Sequence, residues 1–204
     1  MKEVIHPLFS TYSNLQIKQE SIIKSQSHQY SVRTDGKLIG MIEETVDTSR
    51  DWKNQLLNLI NLHSVGSKLL CITNPKAKVV AYINKKRGFN KNIDVLDAEG
   101  NKVSTLQQEL KFKSQRLLAV SPDGDDFLIA KGKNGSLDFL VKENEESELV
   151  VSRIKKRSIP NPTLKESLLL GEQYSINSNK QITEMQQLII IVMTIVISEQ
   201  LHNA

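Results

Sequence analysis

A single cysteine, Cys71, stands among 204 residues, so no disulfide can form within the chain and no Cys/His spacing of structural zinc is available. That usage fits a reducing compartment. The four histidines, His6, His28, His63 and His202, show neither HxH nor HExxH spacing. The acidic stretch Asp123-Gly-Asp-Asp126 has Asn134 where a calcium-binding EF-hand loop would close with glutamate, and a hairpin turn accounts for it better. No G-x-S-x-G elbow, P-loop or G-x-G-x-x-G loop occurs, which removes the common signatures of serine hydrolases and of nucleotide-phosphate binding. The expectation is a non-enzyme with no cofactor, no metal and no catalytic residues.

Two further shortages narrow the partners. Aromatic residues make up 5% of the chain and do not interleave its basic clusters as stacking platforms would in a single-strand nucleic-acid binder. Phe89 and Phe112 lie near such clusters but suit core or edge positions, so nucleic acid ranks low. Nor is there an apolar run of about 20 residues, the length that crosses a bilayer core. The start, Met1 to Pro7, lacks the apolar stretch of a signal peptide because His6 and Pro7 interrupt it. A cytoplasmic protein, at most peripheral at a membrane and without a transmembrane span, is expected.

What is present is ordinary globular composition, 39% hydrophobic and 25% charged, with 27 Lys and Arg against 23 Asp and Glu. The net charge of +4 permits a phosphate-bearing partner without requiring one. Residues 1–25 are polar and weakly patterned, and 26–204 read as one domain. From about Tyr30 to about Lys156 short β-branched or alternating segments are separated by Asp, Asn and Gly turn signals, the pattern of strands and hairpins. Tyr30-Ser-Val-Arg-Thr turns through Asp35-Gly36 into Leu38 to Ile42, the pair favoured in two-residue hairpins. Leu69 to Thr73 turns at Asn74-Pro75 into Lys78 to Ile83, and Ile93 to Leu96 turns through Asp97 to Asn101 into Lys102 to Leu106. Turns at Pro122-Asp-Gly124, Asn134-Gly135 and Asn144 to Ser147 then join Leu117 to Val120, Phe127 to Ala130, Leu137 to Val141 and Leu149 to Ile154. The uneven spacing predicts a meander of hairpins and not a propeller or solenoid.

Two segments depart from the strand habit. Trp52, Leu56, Leu59 and Ile60 recur at helical spacing and predict a short amphipathic helix over 48–63, capped by Thr48 or Ser49. Leu188 to Ile197 is apolar except for Thr194. Ten residues are too short for a membrane anchor, and its β-branched content suits a buried strand. Ser178 and Gln181 have capping-box spacing, which favours a helix over about 179–201. A helix apolar on every side must be enclosed on every side, and a closed sheet would enclose it.

Strands wrapped round a hydrophobic C-terminal helix resemble the tubby C-terminal domain, the phospholipid scramblases and the LURP-one-like proteins. The carrying stretches are Tyr30-Ser-Val-Arg-Thr-Asp-Gly-Lys-Leu-Ile-Gly, Lys78-Val-Val-Ala-Tyr-Ile-Asn-Lys-Lys, Asn92-Ile-Asp-Val-Leu-Asp-Ala-Glu-Gly-Asn, Leu137-Asp-Phe139 and the terminal run. Together they span about residues 20 to 202. The resemblance implies a mainly β fold, a closed antiparallel β-barrel around a central hydrophobic helix, and a membrane-lipid theme. No counterpart of the scramblases' proline-rich N-terminal region is present, and no tubby phosphoinositide-binding residue maps onto this chain.

The densest basic features are Lys85, Lys86, Arg87 and Lys91 after one strand, and Arg153, Lys155, Lys156 and Arg157 near the end of the meander. Lys111, Lys113 and Arg116 form a looser group between them. If the barrel brought the first and last clusters together they would attract anionic lipid head groups; otherwise they are solvated strand ends. The expected function is therefore a non-catalytic binding module at anionic phospholipid surfaces, with a protein-interaction or scaffold domain as the alternative. Active lipid scrambling is not expected, because the apolar segment is needed in the core.

Overall fold

Asp35 and Gly36 take positive φ, 47° and 76°, as a type I′ hairpin requires of both central residues, and they join one of a series of antiparallel pairs. The structure, a computed structural model, describes residues 12–20, 29–45, 67–86, 92–111, 114–133, 137–157, 172–179 and 182–202. Its strands are β1 (Asn14–Gln19), β2 (Gln29–Thr34), β3 (Lys37–Glu44), β4 (Lys68–Thr73), β5 (Val79–Lys85) and β6 (Ile93–Asp97). They continue as β7 (Lys102–Lys111), β8 (Ser114–Val120), β9 (Asp126–Lys133), β10 (Asp138–Lys142), β11 (Ser152–Lys156) and β12 (Gln173–Ser178). Each strand pairs with its neighbour in sequence, and β1 pairs with β12 to close a twelve-stranded antiparallel barrel. Closure leaves no strand edge unpaired.

The closing seam lies where the sequence is least patterned. Within the N-terminal segment 1–25, Leu15 and Ile17 of β1 point inward and pair in register with Ile176 and Tyr174 of β12. Each of these strands has only two buried large side chains in an otherwise polar stretch, so alternation alone did not reveal them. The expected strand from Leu149 to Ile154 is shorter, beginning at Ser152. Ser147 N–H bonds Asn144 Oδ1 at 2.7 Å and Lys142 Nζ donates to the Ser147 carbonyl at 2.8 Å, so the connection winds on itself and leaves Leu149 and Val150 exposed. The amphipathic helix expected over 48–63 and the Asn134-Gly135 turn fall outside the described residues.

The enclosed helix, α1 (Glu184–Val196), continues as a π-helical segment, Ile197–His202. It begins later than the Ser178 spacing suggested, because Ser178 ends β12 and pairs with Ser152. Thr183 is the N-cap instead: its hydroxyl accepts the Gln186 N–H at 3.1 Å, and the Gln186 side chain accepts the Thr183 N–H at 2.8 Å. From Leu188 to Ile197 every residue is buried, and the helix packs against inward residues such as Tyr30, Leu106, Leu128, Phe139 and Ile154 in one continuous core. Each large side chain so buried contributes about 1.5 to 3 kcal/mol. The one polar member of that run, Thr194, donates to the Ile190 carbonyl at 2.8 Å, an internal bond that avoids an unsatisfied hydroxyl. Gln187, fully buried, exchanges two hydrogen bonds with the Tyr12 backbone, 3.1 and 3.3 Å, and so ties the helix to the chain entering β1.

Alternating strand direction sorts the connections. Segments 35–36, 74–78, 98–101, 121–125 and 143–151 all lie at the end where α1 begins, called the near end below. The strands joined by 20–28, 45–67, 86–92, 112–113, 134–137 and 157–172 meet at the far end, where the π-helical segment arrives.

Candidate functional site

At the far end the barrel is closed by a polar network built on the last turns of the core helix. A π-helix is rare in proteins and recurs at functional sites; here its second and third residues, Ser198 and Glu199, diverge to two parts of the rim. Glu199 accepts the Tyr30 hydroxyl at 3.2 Å and pairs with Lys68 Nζ at 2.9 Å. Ser198 donates to Glu172 Oε2 at 3.0 Å, and the Tyr174 hydroxyl donates to the same oxygen at 2.7 Å. Glu172 also pairs with Lys156, whose ammonium sits 6.0 Å from the Tyr174 ring centroid. Lys85 lies beside Lys68 and Glu199 over a cavity of about 20 Å³ walled by Leu70, Ile83, Ile93, Ile195 and Val196, room for about one water molecule.

The electrostatics follow from burial. Burial first, and the Glu199 carboxylate second, push the Tyr30 phenol well above its ordinary range. Tyr174 is raised in the same way by burial and by Glu172. Both therefore act as fixed hydrogen-bond donors. Burial also lowers the Lys85 ammonium and Lys68 adds to this, while Glu199 opposes it. The network braces the helix end, and each carboxylate in it is answered by an ammonium.

The described members of the two densest basic clusters stand toward this end, but on opposite sides of it. β5 and β11 are six strands apart in either direction round the barrel, so Lys85 and Lys86 do not meet Arg153, Lys155, Lys156 and Arg157. Each cluster borders its own carboxylate. Lys86 lies 3.6 Å from Asp94, in an open polar groove of about 320 Å³ that also includes Lys102 and Gln107. Arg153 Nε bonds Asp138 at 2.8 and 3.0 Å, and this hydrogen bond holds the Asp138 carboxyl below the usual range. Lys155 is exposed and pairs in register with Asp138, Lys156 pairs with Glu172, and Arg157 donates to Gln173 Oε1 at 3.2 Å. Arg87 and Lys91 lie outside the described residues. Arg116, in the looser group, is held between Glu109 and Glu145 at 3.4 and 3.0 Å. Cys71 faces outward and is half-buried; burial, then Glu43, raises its thiol pKa, which keeps it protonated and unreactive.

Tyr30, Lys68, Glu172, Tyr174, Ser198 and Glu199 were not visible as a set in the sequence. They come from β2, β4, β12, its preceding residue and the helix end, and the only local hint was polar Ser198-Glu199 directly after an apolar run. A second pattern also emerges only with strand direction. Among the exposed described residues the near end sets Asp35, Glu99, Asp123, Asp125, Asp126 and the 143–148 glutamates against Lys37, Lys76, Lys78 and Lys102, whereas the far end sets Lys86, Lys133, Lys155 and Arg157 against Glu43. The barrel is thus polarised along its axis, acidic where the helix starts and basic where it ends.

Among the described residues no three His, Cys, Asp or Glu converge as metal ligands, and no helix is long and apolar enough to cross a membrane. The chain is similar in structure to the protein AT5G01750 of Arabidopsis thaliana, known from X-ray analysis, with a TM-score of 0.56 over 96% of this chain and 98% of that one, at 11% sequence identity. At such identity the likeness is one of fold. No protein-family model and no curated protein matches the sequence.

Proposed function

We propose that this chain is a non-catalytic binding module of the tubby C-terminal-like, scramblase-like and LURP-one-like kind, and that its far rim meets anionic phospholipid surfaces. The closed barrel round an apolar helix supports the family reading, and it incorporates the strand phrases that carry the resemblance. One observation carries the lipid reading: Lys85 and Lys86 at the end of β5, and Lys155, Lys156 and Arg157 at the end of β11, stand on opposite sides of one rim. A single head group cannot bridge them, but a planar surface reaches both. The acidic near end then points away from the negative surface, so the field of the whole barrel favours this orientation. A cytoplasmic protein that associates peripherally with membranes follows from this reading.

Each basic residue near an anionic membrane is worth roughly 1 kcal/mol, about a fivefold change in affinity. Lys86→Gln and Lys155→Gln are each expected to weaken sedimentation with phosphatidylserine-containing vesicles about fivefold, and the double variant to show roughly the product. Binding should fade with added salt and be absent from purely zwitterionic vesicles. Absence of binding to the anionic vesicles at low salt would sink the reading. The alternative, a protein-interaction or scaffold domain, is favoured by the intramolecular carboxylates beside Lys86, Arg153 and Lys156, which offset charge that a lipid surface would use. A complex with another protein that survives high salt would favour it.

A further inference from the structure

We propose that copies of this chain associate head to tail, the near end of one barrel against the far end of the next. Leu149 and Val150 are 55% and 37% exposed on the near end, side by side in a connection whose Glu146 and Glu148 are also exposed. Asp123 and Asp125 project from the turn between β8 and β9 at the same end. The far end supplies the opposite charge from the ends of three strands: Lys86 after β5, Lys133 on β9, and Lys155 with Arg157 on and after β11, all exposed. An apolar pair next to exposed carboxylates at one end and a net basic rim at the other are complementary surfaces carried by one molecule. Like ends repel, so a two-fold dimer through either end is disfavoured, and the contact is heterologous and repeats from copy to copy. Charge orients the encounter, and removing Leu149 and Val150 from water adds a contribution that salt does not screen. This contact is independent of the lipid reading, but it uses the same far end, so anionic vesicles are expected to compete with it.

Sedimentation velocity of the full chain tests the proposal. At about 10 mM salt, where the screening length is about 30 Å, the sedimentation coefficient should rise with protein concentration. At about 150 mM, where that length is about 8 Å, association should weaken at least tenfold. A near-end variant, Glu146→Gln with Glu148→Gln and Leu149→Ser, and a far-end variant, Lys86→Gln with Lys155→Gln, should each associate at least tenfold more weakly alone. All five positions are exposed or rim residues, and cooperative thermal unfolding of each variant checks that it folds. Mixed in equal amounts, the two variants should recover wild-type affinity yet stop at a dimer, since each contributes one intact end. A wild type that sediments as a monomer at every concentration in low salt overturns the proposal. So does a mixture that associates no better than either variant alone.

Discussion

Raising the pH above 10 should unload the far-end network in a way that counts its tyrosines. Tyr30 and Tyr174 are 0% and 2% exposed, and each hydroxyl donates to a glutamate, Glu199 at 3.2 Å and Glu172 at 2.7 Å. Ionising either would bury a phenolate against a carboxylate, which is why both phenols are raised above the ordinary value near 10. The folded chain therefore holds protons that the unfolded chain releases, and stability must fall as pH rises. The contribution is complete below about pH 10 and declines from there toward the folded-state pKa of each phenol. At pH 11, one unit above the unfolded value, the loss is about 1.4 kcal/mol for each tyrosine, or about 2.8 for the pair. Urea unfolding at pH 8, 9, 10 and 11 measures it. Tyr30→Phe loses a hydrogen bond at every pH, a constant offset, so the diagnostic quantity is the change with pH: between pH 9 and 11 the variant should lose about 1.4 kcal/mol less than the wild type. Parallel curves for wild type and Tyr30→Phe through pH 11 would refute the reasoning, because lysines titrating in the same range affect both proteins alike.

Two other perturbations probe the packing of the barrel and its closure. A Cβ at Gly132 would lie 2.8 Å from the ring of Phe139, which is 1% exposed and enclosed; Gly132→Ala should destabilise by about 1 to 3 kcal/mol, read from the urea midpoint, and Phe139→Leu in the same chain should recover part of the loss. Gln187→Leu removes both side-chain bonds to the Tyr12 backbone and should cost about 1 to 3 kcal/mol, with faster amide exchange at Tyr12 as its local signature. An unchanged exchange rate there would mean that the β1–β12 seam does not depend on the glutamine.

Much of the fold could be read locally because its determinants are local. Asp35-Gly36 must turn, since its dihedrals suit little else, and Gly100 and Gly124 likewise take positive φ, 88° and 96°, at turns anticipated from composition. The run from Leu188 to Ile197 had to be enclosed whatever enclosed it, because no face of it is polar enough for water. Its start was misplaced by a few residues because Ser178 and Thr183 both offer capping-box spacing, and only the pairing of β12 with β11 decides between them.

A meander of hairpins with an apolar terminal helix follows from neighbouring residues alone, because turn dihedrals and side-chain polarity act over a few positions. The remaining features arise only when the barrel closes. Closure rests on β1 and β12, which bury two large side chains each and become strands through partners more than 150 residues apart. The number and direction of strands set the basic clusters on opposite sides of one rim, gather the acidic turns at the other end, and bring Tyr30, Lys68 and Glu172 to the helix end. Those outcomes depend on counting round a closed barrel, and no window of neighbouring residues contains that count.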